Sequence, residues 1–123
     1  MAIRTEIIAL GTVTDPGDYK KFSFRAPYPK LKGLTVYSPE GHAAKASQRA
    51  AVELALTCED GDVNLFNDMI GLKRKHVDEK TSPLRRLDQD TGRNKIEGYA
   101  KCLENTTGAP LTLKLYLLYE DGE

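Results

Sequence analysis

HAAKASQRAAVELALTCEDGDVNLFNDMIGLKRKHV, residues 42–77, is the stretch whose reading decides the fold. At the helical period, Ala44, Ser47, Ala51, Leu54 and Ala55 share one face of an alanine-rich segment, and propensity over residues 42–56 favours a helix. At period two, Val52, Leu54, Leu56 and Cys58 alternate with less apolar neighbours, as in a strand buried on one side. The helical reading is preferred. From Asp62, a capping residue, a second helix is expected with Phe66, Met69, Ile70 and Val77 as its apolar stripe. Asp62 and Asp68 stand near its start and Lys73, Arg74, Lys75 and His76 at its end, the order the helix dipole favours. Gly71 opposes this reading, because glycine costs about 1 kcal/mol in a helix interior.

The flanks read as sheet. Ile3 to Val13 is rich in β-branched residues and ends at Asp15-Pro16-Gly17, a turn signal. In Tyr19 to Arg25, Phe22 and Phe24 alternate with Lys21, Ser23 and Arg25, and this strand is expected to form a hairpin with the first. Pro27 and Pro29 end it. Residues 33–37 form a short third strand. Residues 94–104 and 110–120 form a long C-terminal pair across the link Asn105-Thr106-Thr107-Gly108-Ala109, with Leu111, Leu113, Leu115, Leu117 and Tyr119 on one face. Such a stripe requires an opposing layer. Residues 78–93 lack a sustained period and read as an exposed loop.

The expected fold is therefore α+β, a mainly antiparallel sheet with terminal hairpins and one or two inserted helices. The alternative is an all-β sandwich or jelly-roll-like fold, which follows if residues 50–66 form a hairpin. The 123 residues are expected to make a single domain, since domains cluster near this length. No apolar run is long enough for a helical membrane span, and the N-terminus is too polar for a signal peptide, so a cytoplasmic location, or one within an assembled particle, is expected. Cys58 and Cys102 are too few for a disulfide framework and read as buried thiols.

The 18 cationic and 18 anionic side chains cancel, but not uniformly along the chain. Residues 1–18 carry one base and three acids, 19–58 seven bases and two acids, and 59–72 four acids and no base. Residues 73–101 carry nine bases and five acids, and 102–123 one base and four acids. Blocks of this kind fold into oppositely charged faces, suited to head-to-tail self-association or to a charged partner.

Motifs for chemistry are sparse. Asp90-Thr91-Gly92 spells the aspartic protease triplet, yet its neighbours in RRLDQDTGRNK are polar or charged and cannot sequester a proton-sharing carboxylate pair, so it reads as a polar turn. His42 and His76 lack metal-ligand spacing, and Asp60-Gly61-Asp62 lacks the remainder of a calcium loop. There is no G-x-S-x-G elbow and no phosphate-cradling glycine motif. No cofactor or metal is expected.

One constellation stands above this background. YKKFSFRAPYPKLKGLTVY, residues 19–37, places Lys20, Lys21, Arg25, Lys30 and Lys32 among Tyr19, Phe22, Phe24, Tyr28 and Tyr37 with no acid. Cations interleaved with rings bind single-stranded nucleic acid by neutralising phosphates and stacking on bases. Lys73, Arg74, Lys75, Arg85, Arg86 and Arg93 would extend that surface. Against this, Phe22 and Phe24 share a strand face and are expected to point into the core, leaving the lysines on the other face merely solvated. The preferred functional reading is a non-enzymatic structural or assembly protein, a small subunit of a larger oligomer or particle such as a viral or phage-type structural component. Single-stranded nucleic-acid binding through residues 19–37 is the alternative, and a small hydrolase with an unrecognised site is the third reading.

Overall fold

The computed structural model describes residues 2–39, 50–58, 62–72, 84–105 and 108–121. They form β1 (Ile3–Val13), β2 (Tyr19–Arg25), β3 (Lys30–Tyr37), β4 (Ala50–Cys58), β5 (Val63–Gly71), β6 (Arg85–Asp90), β7 (Lys95–Asn105) and β8 (Leu111–Glu120). Sheet A has the order β1-β8-β3-β6 and sheet B the order β2-β7-β4-β5. All ladders are antiparallel. Eight strands wound into two facing four-stranded antiparallel sheets in this order make a jelly roll, the all-β alternative.

The expected α+β fold is thus corrected. Residues 50–58 of the first expected helix are β4, and 42–49 lie outside the described residues. Val52, Leu54, Leu56 and Cys58 are buried while Glu53, Ala55 and Thr57 are half-buried, so period two prevails over alanine propensity. The reason is tertiary: β4 lies between β7 and β5, which satisfy its backbone on both edges, and its apolar face meets a second sheet. The second expected helix is β5. Its supposed stripe does not share an environment, because Ile70 is buried, Phe66 half-buried and Met69 exposed. Val77 lies outside the described residues. Within 78–93, residues 85–90 form strand β6 rather than loop.

Neither terminal hairpin forms. β1 and β2 belong to different sheets, as do β7 and β8. After β1, Gly17 N–H donates to the Cys102 carbonyl at 2.8 Å and Cys102 N–H to the Asp18 carbonyl at 2.7 Å, which draws the chain onto β7 instead of back along β1. The turn itself is held by the Asp18 carboxylate, which accepts from the Thr14 and Asp15 N–H groups at 3.1 and 2.9 Å. At the other crossing, Asn105 Nδ2 donates to the carbonyls of Thr14 and Ala109, both at 2.8 Å.

The core lies between the sheets. Leu111, Leu113, Leu115, Leu117 and Tyr119 of β8 are all buried, as the period-two stripe requires, together with Leu31, Leu34 and Val36 of β3. Opposite them stand Val52, Leu54, Leu56 and Cys58 of β4 and Ile96, Ala100 and Cys102 of β7. Each fully buried leucine contributes about 1.5–3 kcal/mol relative to exposure. Both cysteines are buried thiols outside any disulfide, as expected, and burial pushes the Cys102 thiol up.

Candidate interaction surfaces

Strand order places β1 and β6 at the edges of sheet A and β2 and β5 at the edges of sheet B. Along one side of the sandwich β1 lies against β2: the backbone of Gly11, at φ 122°, leaves room for the Lys20 stem, which would meet a β-carbon there at 3.2 Å. Along the other side, Arg85 of β6 reaches across to β5. Its Nη1 meets Asp68 Oδ2 at 2.8 Å, its Nη2 donates to the Met69 carbonyl at 2.6 Å, and its guanidinium lies 5.9 Å from the Phe66 ring centre. The Met69 N–H and then Arg85 hold the Asp68 carboxyl below its ordinary value.

On sheet B, the face turned away from the core carries Tyr19, Lys21, Ser23 and Arg25 of β2 beside Lys95, Glu97, Tyr99 and Lys101 of β7. A groove of about 610 Å³ opens there, lined by Lys21, Phe22, Ser23, Ala55, Thr57, Glu97, Gly98 and Tyr99. Gly98 is required at this point, because a β-carbon would overlap the Ala55 carbonyl oxygen of the adjacent strand. Tyr19 meets Tyr99 edge to face at 6.2 Å. The Tyr99 hydroxyl donates to Glu53 Oε1 of β4, and that bond to a carboxylate, ahead of desolvation, raises the phenol above its ordinary value.

The structure disperses the residues singled out between 19 and 37. Lys21 and Arg25 share the outer face of sheet B, where Arg25 Nη1 donates to the Arg93 carbonyl at 3.2 Å. Phe22 and Phe24 turn the other way, pack on the core and stack at 6.1 Å. Lys20 follows them, on the same face as Ala100. Tyr28 packs on Tyr119 at 5.7 Å, Tyr37 is buried, and Lys30 and Lys32 sit on sheet A, where Lys32 pairs with Asp88 at 2.9 Å. Arg85 forms the clasp described above, Arg86 is exposed on β6, and Arg93 lies in the turn before β7. Lys73, Arg74 and Lys75 lie outside the described residues.

Sequence reasoning omitted Lys95, Tyr99 and Lys101. Their alternation with Ile96, Gly98 and Ala100 was the available signal. Asp90-Thr91-Gly92 is the polar turn expected: Thr91 Oγ1 donates to the Tyr28 carbonyl at 2.7 Å and accepts from Arg93 N–H at 3.1 Å, and the Asp90 carboxylate accepts from Gly92 N–H at 2.9 Å. Among the described residues, no group of three or more His, Cys, Asp or Glu side chains could hold a metal ion. Nor does any helix among them have the length and apolarity to cross a membrane.

No family model and no curated protein matches the chain. Among solved structures it is similar to the structure of infectious bursal disease virus Gx strain, at 12% identity and a TM-score of 0.41, covering 99% of this chain and 33% of that one. It is also similar to the crystal structure of dimeric latent PorU from Porphyromonas gingivalis, at 15% identity and a TM-score of 0.40, covering 99% of this chain and 14% of that one. The chain thus spans a third or less of either of these proteins.

Proposed function

We propose that this chain is a non-enzymatic structural or assembly protein, a small subunit that contributes to a larger oligomer or particle of the viral or phage type. One observation carries the reading. Among the described residues, the large apolar side chains left exposed are Ile3 at 56%, Ile7 at 50%, Tyr19 at 52% and Met69 at 55%, and every one lies on an edge strand. Monomeric sheet proteins guard their edges with charge, proline or cover, so apolar groups concentrated on β1, β2 and β5 mark places where another chain docks. Jelly rolls also build viral capsid and lectin domains, an analogy at the level of fold that fits the reading without carrying it. Sedimentation velocity of the whole chain across micromolar concentrations tests it. A defined oligomer or particle is expected, and a strict monomer throughout would overturn it.

A second reading is favoured by the outer face of sheet B, where Lys21, Arg25, Lys95 and Lys101 surround Tyr19 and Tyr99. That face suits single-stranded nucleic acid, with binding that weakens steeply as salt rises. Fluorescence anisotropy of a labelled oligonucleotide, with Lys21→Ala and Lys101→Ala as controls, distinguishes it. Affinity indifferent to salt and to both substitutions removes it.

A further inference from the structure

The edge of β1 away from β8, which pairs with no other described strand, is self-complementary. Ala2 accepts a hydrogen bond at its carbonyl from Asp121 N–H at 3.1 Å, and the register with β8 runs unbroken from Ile3↔Glu120 to Ala9↔Lys114. Hydrogen-bonded and non-hydrogen-bonded positions alternate in an antiparallel ladder. Ala2, Arg4, Glu6 and Ile8 therefore direct their backbone groups to β8, while Ile3, Thr5 and Ile7 direct theirs to the open side. The side chains of Ile3 and Ile7 flank Thr5 on the outer face of sheet A, and both are exposed. The bulge between Ala9 and Gly11 marks the end of this regular edge.

We infer that β1 pairs antiparallel with β1 of a second copy of this chain, about a two-fold axis through Thr5, joining two A sheets into one. This deepens the assembly reading and rests on it. Centred there, Thr5 lies opposite the partner's Thr5, Ile3 opposite the partner's Ile7, and Arg4 opposite the partner's Glu6. Reversed, Ile-Arg-Thr-Glu-Ile sets isoleucine against isoleucine and arginine against glutamate, the self-complementarity that an isologous interface demands. Three hydrogen-bonded residue pairs supply about six ladder bonds. The isoleucines of both copies meet as β-branched cross-strand pairs on one face, and the two Arg-Glu pairs lie on the other.

Charge also selects the register. Strand parity allows slips of two residues only. A slip in one direction centres Arg4 on the partner's Arg4, and a slip in the other centres Glu6 on the partner's Glu6. Like charges directly opposite are destabilising. The Thr5-centred register alone pairs opposite charges.

Cysteine scanning tests this in the full chain. Thr5→Cys places two thiols on residues about 5.5 Å apart at Cα, within disulfide range. Cys58 and Cys102 are buried and do not compete. Diamide oxidation is expected to give a covalent dimer with Thr5→Cys. Ile3→Cys alone puts the two sulfurs about 13 Å apart along the strands and should give none, whereas Ile3→Cys with Ile7→Cys restores the cross-link. In a second measurement, Arg4→Glu and Glu6→Arg should each raise the dimer dissociation constant roughly tenfold, since symmetry places each repulsion twice, and an equimolar mixture of the two should recover the parental value. Mixing cannot rescue a folding defect. If the parent chain oligomerises while Thr5→Cys stays uncross-linked, or if Ile3→Cys cross-links equally well, the β1 pairing is wrong and the assembly reading stands. If the parent chain is monomeric and no variant cross-links, both fall.

Discussion

Replacing Gly98 by alanine probes the join between the two central strands of sheet B, at the floor of its groove. A β-carbon on Gly98 overlaps the Ala55 carbonyl oxygen and stands 2.9 Å from the Ala55 carbonyl carbon and 3.1 Å from Phe22 Cζ. Optimal carbon contacts are about 3.5–4.0 Å. The Phe22 ring tip can yield, but Ala55 is backbone in β4, held by ladders to β7 and β5. Relief requires β4 and β7 to part by about 1 Å, which takes the flanking ladder bonds out of hydrogen-bond range. Two such bonds are worth about 1 kcal/mol each, and overpacking adds about 1–3 kcal/mol. Alanine returns about 0.4–1 kcal/mol by restricting the unfolded chain. The expected net loss is about 3 kcal/mol, close to 10–15 °C in Tm for a domain of this size. Urea unfolding followed by circular dichroism measures it, with an unchanged m value showing that the unfolded reference is the same. A variant within about 1 kcal/mol of the parent at equal m would refute the close approach of Ala55 to Gly98.

Further outcomes follow from single side chains. The Thr35 hydroxyl is buried at 1% exposure with no hydrogen-bond partner among the described residues, so Thr35→Val should stabilise by about 1 kcal/mol in the same urea assay, and a loss would show that the hydroxyl is satisfied. Arg85→Ala should speed amide hydrogen exchange along β5 and β6 while leaving β8 protected, and uniform protection would mean that the clasp holds nothing. Burial raises the Glu6 carboxyl, outweighing its hydrogen bond from the Tyr119 hydroxyl. A carboxyl raised in the folded state takes its proton more readily there than in the unfolded chain, so stability falls as pH rises above its ordinary value. Glu6→Gln should therefore raise Tm at pH 7 at submicromolar concentration, where self-association contributes least, and the gain should vanish near pH 4. Asp18 has the opposite sign. The Asp15 and Thr14 N–H groups hold its carboxyl down, so its contribution is present above the unfolded value and is lost as pH falls through the folded one. Asp18→Asn should lower Tm at pH 7 and converge on the parent in acid, and parallel pH profiles would contradict this.

The parts of the fold legible in the sequence were those in which one strand face meets the core. β8 is the clearest case, because Leu111, Leu113, Leu115, Leu117 and Tyr119 recur at every second position and all five are buried. The helix expected at β4 shows the opposite situation. Its alanines are equally at home on either backbone, and the deciding fact is the sheet that receives Val52, Leu54 and Leu56, which lies in β3 and β8, far away in sequence. The hairpins failed for a related reason. Turn chemistry at Asp15-Pro16-Gly17 reports a reversal, and says nothing about whether the returning strand joins the same sheet or the facing one. The hydrogen bonds from Gly17 N–H to the Cys102 carbonyl and from Cys102 N–H to the Asp18 carbonyl decide that point. The basic and aromatic stretch from 19 to 37 looked continuous because it is contiguous in the chain, but β2 and β3 lie in different sheets and alternate residues face opposite ways.

The same winding distributes the charge blocks of this neutral chain over the two sheets. Of the basic block 19–58, β2 goes to an edge of sheet B and β3 to the interior of sheet A, while the acidic block 59–72 supplies β5 at the opposite edge of sheet B. Sheet B is thereby cationic at its β2 edge, through Lys20, Lys21 and Arg25, while Asp68 on the β5 edge is neutralised by Arg85 of β6. β1 carries one base and one acid, Arg4 and Glu6. A strand that balances its own charges suits a two-fold contact. β1 lies against the cationic β2 on the same side of the sandwich. Two-fold pairing at β1 brings the cationic β2 edges of the two copies onto the same side of the contact, where they repel across the second layer. Long-range attraction therefore cannot drive that contact. Its free energy has to come from the backbone ladder and from Ile3 and Ile7, interactions that act only at close range, with the Arg4 and Glu6 pairs fixing the register once the strands have met.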